Sequence, residues 1–266
     1  MRKRLLVIII FTMVLSLHIS SLLARDKVFD TMRKYNLDEI VSTYTTYFDI
    51  DNSNRNRNIK IAAESIDGVV VMPGEIFSFN EVVGPRTKER GYKKAPEIVN
   101  GEFVDGVGGG ICQVTSTLYN SILLANLDII KRANHSRPVS YVDLGRGATI
   151  YYGVIDFKFK NNKEYPIIVS SRVVYNQVTV FIVGKFLDKS VELKNLPIEV
   201  IEYEVIREVD DTMLPGEEKI VREGRNGFKT GVKRILKYGN KVVKEEKISN
   251  DIYQPQNAII KYNPKD

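Results

Sequence analysis

The stretch Gly106-Val-Gly-Gly-Gly-Ile-Cys-Gln-Val-Thr-Ser-Thr-Leu-Tyr-Asn-Ser-Ile-Leu-Leu-Ala-Asn-Leu127 decides how this chain is read. It opens with the glycine cluster Gly106, Gly108, Gly109 and Gly110, continues with Cys112, the single cysteine, and runs on as an apolar segment. Glycines admit positive φ and close approach of other groups. A helix that starts just after them points unpaired N–H groups outward and sets the positive end of its dipole beside the thiol. Loop, cysteine, helix is an arrangement that presents a nucleophile. Cys112, Ser116 and Asn120 are four apart and share one helix face, while Val114, Leu118, Ile122 and Ala125 form another. Beyond Ile122 the pattern is apolar all round through Leu123, Leu124, Leu127, Ile129 and Ile130, as in a buried helix. Cys112 is therefore either a small buried hydrophobe at a tight junction or a reactive thiol.

Working outward, the chain has two histidines, and His18 lies in the apolar N-terminal segment. His135 follows the helix in Lys131-Arg-Ala-Asn-His-Ser-Arg-Pro138, where Asn134 and Pro138 signal a reversal. A cysteine at a helix start and a later histidine are the order used in cysteine acyl-transfer enzymes, where a third group orients the imidazole. Asp156 is the first choice for that group and Asp143 the second; a solvated strand residue is the competing reading of Asp156. Backbone N–H groups around Gly109 and Gly110, with the Gln113 side chain, are the candidate oxyanion donors.

After His135 the residues alternate as strands over Val139–Leu144, Thr149–Lys160, Tyr165–Val174 and Gln177–Lys185. Earlier, Val41–Phe48 and Val69–Met72 read as strands, Asp49–Asn58 as a loop and Ile59–Ile66 as a short helix. The fold class is α+β, one central helix packed among antiparallel strands, followed by a small all-β C-terminal domain. The division is 1–24 signal peptide or membrane anchor, 25–186 main domain, 187–198 linker and 199–266 C-terminal domain. In the last part Gly216, Gly224, Gly227, Gly231 and Gly239 punctuate short strands, and residues 229–248 alternate as a half-buried hairpin does.

The N-terminus starts Arg2-Lys-Arg4 and runs apolar from Leu5 to about Ala24, which is an export signal. Leu22 and Ala24 make a poor cleavage site, so an uncleaved anchor is favoured, with the rest of the chain outside the membrane. The protein is then membrane-anchored or secreted, on the extracytoplasmic face of the envelope. A net charge of +6 over 266 residues suits an anionic wall or membrane surface, and no nucleic-acid motif accompanies it. One cysteine and one histidine in the main domain are too few for a zinc site, and the glycine loop lacks the Gly-Lys-Ser/Thr ending of a phosphate loop. No metal, cofactor or nucleic-acid partner is expected.

Arg57-Asn58-Ile59, Met72–Asn80, Val83–Tyr92, Gly108–Asn120, Asn134–Ser136, Val139–Val142 and Asp156–Asn162 together resemble the VanW family over about Leu37 to Lys185. The tail, about Glu199 to Asn263, resembles the five-glycine (G5) domain. Where the VanW pattern usually has an acid in GRDAT, this chain has Gly147. The resemblance implies an extracytoplasmic, wall-associated protein of Gram-positive type, and the G5 domain implies binding of peptidoglycan or other wall glycan. The favoured function is thus a wall-associated envelope-binding module. The alternative is a cysteine-dependent amidase or transpeptidase-like enzyme on peptidoglycan stem peptides, using Cys112, His135 and Asp156.

Overall fold

The computed structural model describes residues 28–99 and 101–264. The export segment read at residues 1–24 lies outside them. Among the described residues no helix is long and apolar enough to cross a membrane.

The chain begins with helix α1 (residues 28–35) and strand β1 (Glu39–Tyr47). Helix α2 (Ser53–Ile66) follows, starting six residues before the expected Ile59. The cause is local: the Asn52 side chain accepts from the Arg55 N–H at 3.2 Å and caps the helix, so the Asn/Arg-rich text reads as a first turn rather than a loop. Strands β2 (Val69–Val71) and β3 (Ile76–Ser78) lead to the short helix α3 (Phe79–Val83). A hairpin of β4 (Lys94–Val99) and β5 (Glu102–Val107) then precedes helix α4 (Ile111–Leu124). Strands β6 (Asp128–Lys131), β7 (Lys158–Lys160), β8 (Ile167–Val174) and β9 (Gln177–Gly184) complete the main domain.

Strands β1, β9, β8 and β2 form an antiparallel sheet in that order. Helices α2 and α4 cover one face of it. The apolar stripes Ile59, Ala62, Ala63 and Ile66 of α2 and Val114, Leu118 and Ile122 of α4 meet Val178, Val180 and Ile182 of the sheet and Phe157 and Phe159 beyond them. Hydroxyls pin the layers together: Ser42 Oγ donates to Ser121 O at 2.8 Å, Ser121 Oγ to Val180 O at 2.9 Å and Ser171 Oγ to Ala63 O at 2.6 Å.

Helix α4 is buried on every side, not on one stripe. Its polar residues tolerate this because they bond inside the helix: Thr117 Oγ1 donates to Gln113 O and Asn120 Nδ2 to Ser116 O, both at 2.7 Å. The helix ends at Leu124, where Asn126 turns the chain at φ 53, so Ile129 and Ile130 lie in β6 and not in the helix. The segments 139–144 and 149–157 are not strands either, apart from isolated bridges Ala133↔Thr149 and Tyr151↔Ile155. The chain between and beside them, residues 146–150, lies along the Cys112/Ser116/Asn120 face of α4. Ala148 N–H donates to Ser116 Oγ at 2.9 Å and Asn120 Nδ2 donates to Arg146 O at 2.9 Å.

The C-terminal part is all β. Strands β10 (Ser190–Asn195), β11 (Glu199–Ile201), β12 (Val205–Val209), β13 (Glu218–Arg222) and β14 (Gly227–Thr230) are followed by β15 (Val232–Tyr238), β16 (Lys241–Lys247), β17 (Asp251–Tyr253) and β18 (Ala258–Tyr262). They make three-stranded sheets β10-β15-β16, β11-β14-β17 and β12-β18-β13, with β12 and β18 parallel. The alternating text of residues 229–248 forms the β15–β16 hairpin. The stretch read as a linker at 187–198 is corrected: it carries β10, paired with β15 from Ser190↔Lys237 to Asn195↔Val232. Buried charges tie this part to the main domain. Arg132 pairs with Asp251, and Arg234 donates to Leu127 O at 2.9 Å, beyond the end of α4.

Candidate functional site

Two glycines shape the entry to α4. A Cβ on Gly109 would stand 2.4 Å from Ala95 O, so β4 packs directly on that backbone. Gly110 takes φ 105 against Arg55 of α2, whose Cγ would lie 2.8 Å from a Cβ there. Asn58, fully buried in α2, fastens this corner: its Nδ2 donates to Lys93 O and Gly109 O, both at 2.9 Å, and its Oδ1 accepts from Lys93 N at 2.8 Å. The corner fixes where α4 begins, and so where Cys112 stands.

Cys112 lies half-buried on a cleft of about 930 Å³. Its Sγ is 3.6 Å from Thr149 Oγ1 and 3.7 Å from Ile150 O, both delivered by the loop seated on the polar face of α4. The cleft is lined by the glycine loop and the start of α4, by Arg55 and Arg86, and by His135, Arg137 and Tyr141. The turn bearing Tyr151 and Tyr152 and the β4–β5 hairpin with Glu97 and Phe103 complete the walls. Cys112 is thus partly exposed on the cleft rather than fully buried in the core.

The cleft is rich in cations and aromatics. Arg55 Nη2 donates to Gln113 Oε1 at 2.7 Å, and its guanidinium lies 5.9 Å from the centroid of the Tyr141 ring. Arg137 stacks at 4.4 Å over Phe103, and Arg86 lies 5.3 Å from the Tyr152 ring centroid. Burial lowers the proton affinity of both Arg55 and Arg86, while the nearby Cys112 and tyrosines pull it back up. The Glu97 carboxyl is raised by burial.

His135 lines the same cleft as Cys112, but the imidazole bonds to another group. Tyr141 Oη and His135 Nε2 are 3.1 Å apart. His135 is 4% exposed; burial, aided by the Arg132 charge, pushes its pKa down to about 4, so the ring is neutral at neutral pH. Burial pushes the Tyr141 phenol up, helped by Cys112 nearby, so it stays protonated. His135 Nδ1 is buried and has no hydrogen-bond partner among the described residues.

Asp156 does not orient this histidine, which corrects the first choice for a third group. Its Oδ2 accepts from Ser78 Oγ at 2.6 Å and its Oδ1 from Asn80 N at 2.9 Å, so the carboxylate caps the first turn of α3. Lys158 Nζ is a further 3.7 Å partner. Asp143 is no substitute: it is exposed and bonded by Asn195 Nδ2 at 3.5 Å. The Gln113 side chain is not an oxyanion donor, because its Nε2 is spent on Thr46 Oγ1 at 3.0 Å and Tyr47 O at 2.9 Å. The Gln113 and Ile111 N–H groups are likewise taken, by Gly110 O and Gly108 O.

Arg55, Arg86 and Tyr141 are cleft residues that the sequence reading did not single out. Arg86 and Tyr141 sit within the quoted Val83–Tyr92 and Val139–Val142 stretches, which carried that much of a signal. Among the described residues no group of three His, Cys, Asp or Glu side chains is placed to hold a metal ion.

The fold and the cleft define an α+β domain with a helix-borne cysteine, followed by an all-β module. Residues 54–183 match the family described as VanW like protein, and residues 196–265 match the G5 domain. Its main domain is thus similar to VanW-like proteins over residues 54–183, and its C-terminal part to the G5 domain over residues 196–265. It is 51% identical over 129 residues to YoaR of Bacillus subtilis (strain 168), which spans 48% of this chain and 43% of that protein. It is 35% identical over 127 residues to the vancomycin B-type resistance protein VanW of Enterococcus faecalis (strain ATCC 700802 / V583), spanning 46% of each. The matches thus cover less than half of either relative. Two solved structures are similar over the C-terminal part. The IgA1 protease G5 domain is 18% identical, covering 31% of this chain and 100% of that chain with a TM-score of 0.25. The HP0197 G5 domain is 19% identical, covering 28% and 97% with a TM-score of 0.20.

Proposed function

We propose that this chain is an extracytoplasmic, wall-associated protein that processes peptidoglycan stem peptides by acyl transfer through Cys112, with its G5 domain holding it on wall glycan. The observation that carries the reading is the half-buried Cys112 thiol in the first turn of α4, opening on a cleft of about 930 Å³. That volume is ample for a short peptide. Arginines on its walls match the acidic character of such peptides.

In the proposed reaction, Cys112 Sγ gives up its proton and attacks an amide carbonyl carbon. The C–N bond breaks, the amine leaves with the proton, and a thioester remains on Cys112. Water then releases an acid, or a second amine forms a new amide and restores the thiol. His135 and Tyr141 share the cleft with the thiol, and the proton is proposed to pass by way of their hydrogen bond from Cys112 Sγ to the leaving amine without resting on the imidazole. The Cys112 N–H in the first helical turn is assigned to the developing oxyanion. The export segment at residues 1–24, as anchor or cleaved signal, delivers the chain to the wall.

The test is intact-protein mass spectrometry of the full chain incubated with muropeptides. The expected result is an acyl adduct on the wild type, absent from Cys112→Ala, together with trimmed or cross-linked peptide product. Product formed equally by Cys112→Ala overturns the reading. Absence of adduct and product, with the chain still retained on purified wall material, favours the envelope-binding module instead.

A further inference from the structure

Arg86 stands out in the cleft because its charge has no hydrogen-bond partner. All three guanidinium nitrogens are buried, and none has a hydrogen-bond partner among the described residues. A guanidinium has five N–H donors, and leaving a buried charge unpaired is costly. Asp156 attracts it across space, but the oxygens of that carboxylate are held by Ser78, Asn80 and Lys158. What covers Arg86 is the Tyr152 ring, 5.3 Å from its centroid. Tyr152 is 48% exposed and sits on a turn closed by two Tyr151–Ile155 backbone bonds of 2.8 Å, with Gly153 at φ 77. The half-exposed Tyr152 ring is thus a neighbour of the guanidinium that borders the open side of the cleft.

We infer that Arg86 is the carboxylate-anchoring residue of the cleft: a carboxylate of the bound peptide replaces the Tyr152 ring over the guanidinium and takes two of its N–H donors. The planar fork of arginine matches a carboxylate in this bidentate way. Arg55 is already bonded to Gln113 and Arg137 Nη1 donates to Gly101 O at 3.3 Å, so among the described residues Arg86 is the cleft guanidinium with no hydrogen bond of its own. A single free guanidinium balances a monoanion, which favours a carboxylate over a doubly charged phosphate. Arg86 shares the cleft with Cys112, so the anchored group also sets which carbonyl is presented to the thiol. This assignment rests on the stem-peptide reading given above and names how the substrate is held.

The experiment uses the full chain with Cys112→Ser, which removes turnover from the measurement. Calorimetric titration compares a synthetic stem tetrapeptide having free carboxylates with the same peptide fully amidated. Amidation is expected to weaken binding at least tenfold. In Cys112→Ser/Arg86→Met the two peptides are expected to bind within threefold of one another, with the amidated peptide bound as before. The melting temperature of Arg86→Met is expected to be unchanged or higher, since an unpaired buried charge has gone; a purely structural arginine would lower it. Arg86→Lys keeps the charge without the fork and should keep at least threefold discrimination, which covers the case of a poorly folded Met variant. Equal affinity for the two peptides, discrimination that survives in Arg86→Met, or no binding of either peptide overturns the assignment. Discrimination in Cys112→Ser that is lost on adding Arg86→Met, with no adduct on the wild-type chain in the muropeptide incubation, sinks the acyl-transfer chemistry and leaves the anchor standing.

Discussion

His135 Nδ1 faces the α-carbon of Gly147 so closely that a Cβ added there would stand 2.7 Å from it. The buried Nδ1 has no hydrogen-bond partner among the described residues, and burial and Arg132 hold the imidazole pKa at about 4. Position 147 is therefore the place from which a third group reaches this ring, and here it is glycine. The φ of Gly147 is not positive, so its backbone accepts a side chain without strain. Gly147→Asp, with a small shift of the ring, is expected to put a carboxylate on Nδ1. An opposite charge at that range favours imidazolium, so the NMR titration midpoint of His135 should rise by at least about one unit. A midpoint that stays near the native value rules this geometry out.

The same burial links His135 to stability. Its folded pKa of about 4 lies below the ordinary 6.5. Above pH 6.5 the ring is neutral in both states and adds no pH dependence. As pH falls from 6.5 to 4, the unfolded chain gains the proton and the native chain does not, so stability is lost. The full loss is about 3 kcal/mol, reached near pH 4. His135→Gln removes the titrating group, so its urea-unfolding free energy should fall less than that of the wild type between pH 7 and pH 4. Parallel curves for the two proteins would sink the argument.

What the sequence made legible was local. The glycine cluster followed by an apolar run marks the start of α4, and alternation over residues 229–248 marks the β15–β16 hairpin, because both signals sit within one element. What it hid was the partner. Val139–Leu144 alternates like a strand, yet its neighbourhood seats on the Ser116/Asn120 face of α4, and no period announces that choice. Asp156 alternates with Ile150, Tyr152 and Val154, yet it caps a short helix 76 residues earlier. Gln113 Nε2 bonds Thr46 and Tyr47, 67 and 66 residues earlier, and those pairings reassign a side chain read as an oxyanion donor. Cys112 is where its position in the first turn put it; its chemistry rests on the experiments above.

Gln113 gives a stability prediction that separates scaffold from chemistry. It is fully buried and joins α4 to Arg55 of α2 and to Thr46 and Tyr47 of β1. Gln113→Leu removes three hydrogen bonds and leaves Arg55 without its acceptor. The expected cost is about 2 to 4 kcal/mol by denaturant unfolding. Gln113→Glu keeps the acceptor for Arg55 but loses the donors to Thr46 and Tyr47, so it should fall between. A cost below about 0.5 kcal/mol for Gln113→Leu would mean that the side chain does not hold these layers together.

The clamp between the main domain and the G5 domain is the last relationship open to a direct test. Arg132 pairs with Asp251 of β17, both nearly buried, and also donates through Nε to Gly147 O at 2.7 Å and through Nη2 to Gly145 O at 3.2 Å. Gly145 N–H donates in turn to Tyr253 Oη at 3.0 Å. The loop that seats on α4 and reaches Cys112 is thus gripped from behind by the C-terminal module. Removing one partner of a buried pair leaves the other charge uncompensated, at a cost of about 3 to 5 kcal/mol. Asp251→Ala should therefore destabilise by about that amount and loosen residues 145–150, which raises hydrogen exchange at Ala148, whose N–H bonds Ser116. Tyr253→Phe removes one bond only and should cost about 1 kcal/mol. If Asp251→Ala leaves exchange at Ala148 unchanged while the G5 domain melts separately, the module is a passive attachment. If both change together, the G5 domain is part of what holds the cleft in shape, and isolating the main domain should cost it stability as well as anchorage.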